Sequence, residues 1–162
     1  MIDLPTFTLI HVVISVLGII AGLIVVGGLL TGAPLNGWTA FFLATTILTS
    51  VTGFGFPFTK VGPPHIVGAL SLAVLAVCLA ARYWKRMEGA WRSIYVTTAT
   101  IALYLNIFVL VAQLFAKTPA LAQLAPTQQE PPFAVTQLLV LALFVWLGWA
   151  AVRGFQKGRA TG

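Results

Sequence analysis

His11 and His65 are the only histidines in the chain, and each stands where a long apolar stretch begins. His65 follows two prolines in "VGPPHIVGALSL", and His11 follows Pro5 by six residues in "LPTFTLIHVVIS". Proline is well tolerated in a first helical turn, so Pro63 and Pro64 predict a helix start that contains His65. The positive end of a helix dipole disfavours imidazolium, and burial pushes the same way. Neutral imidazole is the form that ligates metals and haem iron. Two neutral rings at equal depth would supply both axial ligands of one haem b, which makes His11 and His65 the candidate metal ligands.

Other polar and aromatic groups fall near the same level. Gln113 lies close to the end of one apolar run, and Gln137 four residues into another. At 1.5 Å per residue, these amides and both histidines fall within roughly 6 Å of one membrane boundary. Asn106 precedes Gln113 by seven residues, a spacing that returns to the same helix face. The amides are candidates for orienting the imidazoles or contacting the porphyrin edge. Phe54, Phe56 and Phe58 would line the ring faces, and Lys60 and Lys117 would meet the propionates. Such a site would pass electrons near the outer face, to or from a redox partner such as a quinone.

The elements that must carry these residues follow from composition. The chain has 162 residues, of which 59% are hydrophobic and 7% charged, against roughly a quarter charged in soluble domains. Mean hydropathy is +1.00. Five continuous apolar runs approach the length of about 20 residues that a spanning helix needs. The expected fold is all-α: one integral membrane domain over 1–162, a bundle of five transmembrane helices at about 7–30, 38–58, 64–84, 93–116 and 132–153. Arg82 makes the third run the least regular, and it is expected to snorkel to the headgroups.

Charge sets an orientation. With five spans, Arg82, Lys85, Arg86, Arg92, Arg153, Lys157 and Arg159 share one side, and only Lys60 and Lys117 lie on the other. That asymmetry predicts the amino terminus outside and the carboxyl tail in the cytoplasm, in a bacterial cytoplasmic membrane. All five tryptophans (Trp38, Trp84, Trp91, Trp146 and Trp149) fall at the cytoplasmic ends, where indole suits the headgroup region. The net charge of +6 therefore reads as topology, not as a nucleic-acid surface. Asp3 and the absence of early Lys or Arg argue against a cleavable signal, so the first run is expected to remain a helix.

Small residues predict how helices meet. Gly18 and Gly22 form a close-approach stripe on the first helix, and Ala69, Ala73, Ala76 and Ala80 form one on the third. Either stripe would serve the bundle itself, a homo-oligomer or a larger membrane complex. Residues 117–132 form the one long connection, with an amphipathic turn expected within 119–125. Cys78 reads as a small packing residue. Acidic or basic groups at mid-membrane depth, catalytic triads, phosphate loops and paired carboxylates are lacking, which argues against ion-coupled transport and hydrolysis.

Two stretches carry a resemblance. "FTLIHVVISVLGIIAGLIVVGGLL" is similar to the opening helix of small haem-bearing membrane proteins of the copper-resistance D and protoporphyrinogen-oxidase-like type. "PPHIVGALSL" resembles the H-x-x-G helix starts of membrane b-type cytochromes. The resemblance spans two helices and implies a ligand role for His11 and His65 alone. Against it stand a purely interfacial role for both rings, a quinone or lipid pocket at the same level, and a non-catalytic membrane subunit that assembles without a cofactor.

Overall fold

The structure, a computed structural model, describes residues 3–57 and 62–160. Among them there are six helices and no strand: α1 (Leu4–Leu30), α2 (Asn36–Gly53), α3 (Pro63–Leu79), α4 (Trp91–Lys117), α5 (Pro119–Leu124) and α6 (Pro131–Ala160). α3 continues into a π-helical turn, Ala80–Trp84.

Local chemistry sets most of the boundaries. The Asp3 carboxylate accepts from Thr6 N at 3.4 Å and caps α1, with Pro5 in the first turn. α1 stops where Gly32 takes φ +82 and the Ala33 amide donates back to Gly28 O at 2.8 Å. α2 ends at Gly53, five residues before the expected boundary, because "GFGFP" supplies two glycines and then Pro57. α6 continues seven residues past its expected end, since nothing in "RGFQKGRA" breaks a helix outright. α5 is the short helix expected in the long connection. Gln128, at φ +59, ties that connection to α4 by donating from Nε2 to Ala112 O at 2.7 Å.

Contacts between helix ends fix an alternating course. The start of α1 meets the end of α2 through His11 and Thr52. The start of α2 meets the end of α3 through Asn36 and Arg82. The start of α4 meets the far part of α6 through Arg92 and Phe155. Asp3 thus lies at one end of the bundle, the histidine end, and Arg153 and Lys157 at the other, the basic end. α1 and α4 are central: Val25, Val26 and Leu29 of α1 and Tyr95, Val96 and Leu103 of α4 are buried in one core with Phe42, Leu75, Phe144 and Phe155.

The glycine stripe of α1 is used inside this bundle. A side chain on Gly22 would meet Leu103 and Phe42 within 2.6–2.8 Å, and one on Gly18 would meet Thr45 at 3.1 Å. Gly154 of α6 crosses the end of α1 against the backbone of Leu30. The alanine stripe of α3 behaves differently. Ala69, Ala73 and Ala76 are exposed, while Ser71, Leu75 and Cys78 on the opposite face are buried.

Among the described residues, four helices are long and apolar enough to cross a membrane: α1, α3 with its π turn, α4 and α6. The element that falls short of a span is α2 rather than α3. Its 18 residues cover about 27 Å, against a hydrocarbon thickness of about 30 Å, and it is rich in Thr and Ser. Most of the hydroxyls are held locally or by neighbours, as where Thr45 donates to Phe41 O at 2.8 Å and Ser50 to Ser71 Oγ at 3.0 Å, while Thr49 Oγ1 is buried without a hydrogen-bond partner.

Candidate functional site

The short α2 decides how the two histidines are related, because its last turn stands between them. His11 lies against one flank of that turn. Its Nδ1 is 2.8 Å from Thr52 Oγ1, and its ring meets Phe56 edge-on at 5.1 Å between centroids. His65 lies against the other flank, its ring 5.9 Å from that of Phe54. Phe54 reaches over Gly68 of α3, where an added side chain would come within 3.1 Å of the phenyl ring. Phe56 turns the opposite way, 5.0 Å from Phe7 of α1. The two phenylalanines expected to line one pocket thus point to opposite neighbours.

Hydrogen bonding also distinguishes the rings. Thr52 Oγ1 has one proton, which goes to Leu48 O at 2.7 Å with a longer branch to Thr49 O at 3.2 Å. With that proton on Leu48 O the hydroxyl accepts from His11, which corresponds to the tautomer with the proton on Nδ1 and the lone pair on Nε2. His65 has the reverse arrangement. Its Nδ1 accepts from the Gly62 amide at 3.2 Å, closing the first turn of α3 from the third helical position. An accepting Nδ1 carries no proton, which puts the proton on Nε2.

A haem bridging two histidines needs both Nε2 lone pairs aimed at one iron across an open gap. Here the end of α2 stands between the two rings, with His11 against Thr52 and His65 against Phe54. A paired site would require the α2 turn to leave the space between the rings.

The remaining candidates divide by partner. Asn106 Nδ2 donates to Thr46 Oγ1 at 3.2 Å, joining α4 to α2. Gln137, 8% exposed, donates from Nε2 to Phe108 O at 3.1 Å, joining α6 to α4, and its Oε1 is buried without a protein partner. Gln113, expected on the Asn106 face, is exposed, and so is Lys117 in the last turn of α4. Lys60 and Phe58 lie outside the described residues. Among the described residues no group of three His, Cys, Asp or Glu is arranged to hold a metal ion.

The most built polar cluster lies at the other end. Arg82 does not snorkel; it is 7% exposed. Its Nη2 donates to Asn36 Oδ1 at 2.7 Å, and its guanidinium lies 4.9 Å from the Tyr95 ring centroid. Tyr95 Oη is in turn 3.4 Å from Thr39 Oγ1. The π turn widens the helix where the arginine turns inward. Asn36 carries no motif, and its importance appears only once α2 and α3 are side by side. One sequence signal did mark the place: an arginine inside an apolar run.

The described residues form a small all-helical fold with four helices suited to a bilayer. No family model, curated protein or solved structure matches the chain.

Proposed function

We propose that the chain crosses the membrane five times, with the histidine end outside and the basic end in the cytoplasm, as a non-catalytic membrane subunit. It assembles laterally with a second transmembrane helix along α3. The observation that carries this reading is the contrast between two small-residue stripes. The α1 stripe is closed by Phe42, Thr45 and Leu103, while Ala69, Ala73 and Ala76 face outward. In lipid, small side chains favour helix association because they let backbones approach. The charge asymmetry between the ends supports the orientation.

Cross-linking tests the assembly. In a Cys78→Ala background, Ala73→Cys is expected to form an oxidative cross-link in native membranes, to itself or to a partner. Leu139→Cys, on the exposed face of α6, serves as the comparison. No cross-link from either position, or equal cross-linking from both, would count against the α3 contact.

A second reading rests on the lone pair of His11 Nε2. It supports a ligand at His11 alone, a haem b or a quinol hydroxyl at the outer end, in place of a paired site. When bound, haem would supply one-electron chemistry; Thr52 would keep the imidazole proton on Nδ1 and so leave Nε2 as the ligating atom. The expected sign is a Soret band in haem-replete purified protein that is lost in His11→Ala and retained in His65→Ala. Loss in both variants would restore the paired reading, and a colourless preparation would remove haem.

A further inference from the structure

The outer faces of α4 and α6 enclose an apolar groove of about 560 Å³ that neither the histidines nor the α3 stripe touches. Its floor is made by small or retracted groups. Gly148 has no side chain, and Thr100 turns its hydroxyl back to Val96 O at 2.8 Å. Ile101 and Tyr104 form one wall, Leu141 and Val145 the other. At the basic end the lining becomes polar, with Trp149, Arg153 and Gln156.

We propose that this groove is a binding site for one anionic phospholipid, with an acyl chain along the α4–α6 seam and the headgroup at Arg153. The dimensions fit. From Leu141 to Arg153 the groove follows twelve residues of α6, about 18 Å, close to the depth of one leaflet at about 15 Å. The chemistry at the mouth fits too. The Arg153 guanidinium lies 3.9 Å from the Trp149 ring centroid, which fixes it at the interface. Lys157 follows one turn later and is exposed, and neither α4 nor α6 contains Asp or Glu to neutralise the pair. Gln156 is held by Ser93 Oγ at 2.9 Å beside them. The site rests on membrane embedding alone and is independent of both readings above.

Native mass spectrometry of the full chain in detergent tests it, with phosphatidylglycerol or phosphatidylcholine added at equal concentration. Two interfacial cations predict a preference of about thirtyfold for the anionic lipid, at one molecule per chain. Arg153→Gln with Lys157→Gln is expected to remove the preference, and Val145→Trp, which crowds an exposed wall, to weaken retention of both lipids. Circular dichroism confirms that each variant is folded. Equal retention of the two lipids by the unaltered protein overturns the proposal, as does a preference that survives the double substitution. Displacement of the lipid by millimolar inorganic phosphate would mean that the groove holds no chain, and a dimer broken by Val145→Trp without any lipid effect would assign the groove to a second copy.

Discussion

The two ends of the bundle are joined by different means. At the basic end, cations do the joining: Arg82 bonds to Asn36 across α3 and α2, and Arg92 donates from Nε and Nη2 to Phe155 O across α4 and α6, with Nε at 3.0 Å. Backbones also touch there, at Gly154 and Leu30. At the histidine end, neutral groups join the helices: His11 to Thr52, Asn106 to Thr46, Ser50 to Ser71, with phenylalanines between. Hydrogen bonds to charged groups are stronger than neutral ones, and a buried charge left without a partner is costly. The basic end is therefore held by the stronger bonds and the histidine end by the weaker ones.

The largest expected difference comes from glycine. Gly154→Ala sets a methyl group against the Leu30 carbonyl, which cannot move aside without shifting a helix, and should cost about 3 kcal/mol. Gly53→Ala at the other end meets only His11 Cε1 at 3.8 Å and should change stability little. Denaturation midpoints in mixed micelles compare the two; equal losses would remove the asymmetry. Next comes the guanidinium. Asn36→Leu strands Arg82 and should cost about 2–3 kcal/mol, whereas Arg82→Met removes charge and acceptor demand together and should cost less. If Arg82→Met proves the worse of the two, the arginine acts outside this cluster.

At the histidine end, Thr52→Val should cost about 1 kcal/mol and release the His11 tautomer, visible as a change in the imidazole nitrogen shifts by NMR. An unchanged nitrogen spectrum would mean that Thr52 does not fix the ring. The smallest effect concerns Glu130. What desolvation it suffers raises its pKa, but the donors from Thr127 and Gln129 together outweigh this and hold the carboxyl below its ordinary range. A depressed folded pKa means that these bonds are intact above the ordinary carboxylate value and are lost as pH falls through the lower folded one. Amide exchange at Thr127 and Gln129 should accelerate only below about pH 4. Acceleration already at pH 6 would contradict the assignment.

Much of the architecture was legible in the sequence. Apolar run length gave the helices, Pro63 and Pro64 marked the start of α3, and "KTPALAQL" announced α5. The end of α2 was misjudged because its phenylalanines read as continuing apolar character, while the flanking glycines and Pro57 stop the helix. Arg82 was expected in the headgroups because snorkelling is an option open to any arginine near a helix end. Asn36 and Tyr95, which hold it inside, lie 46 and 13 residues away in the chain. His11 and His65 both meet the last turn of α2 and its following residues, but depth is a single coordinate. Facing depends on rotation about each helix and on what lies between.

Composition and run length by themselves determined that the chain is helical and suited to a bilayer, because every backbone group in hydrocarbon must find its partner within its own helix or a closed barrel. They determined also that basic residues gather at one end. Only the tertiary structure decided that α2 stands between His11 and His65, that the α1 glycines face inward and the α3 alanines outward, and that a groove remains beside Gly148. Those outcomes depend on close packing among all five long helices at once, and no single stretch of the chain contains that information.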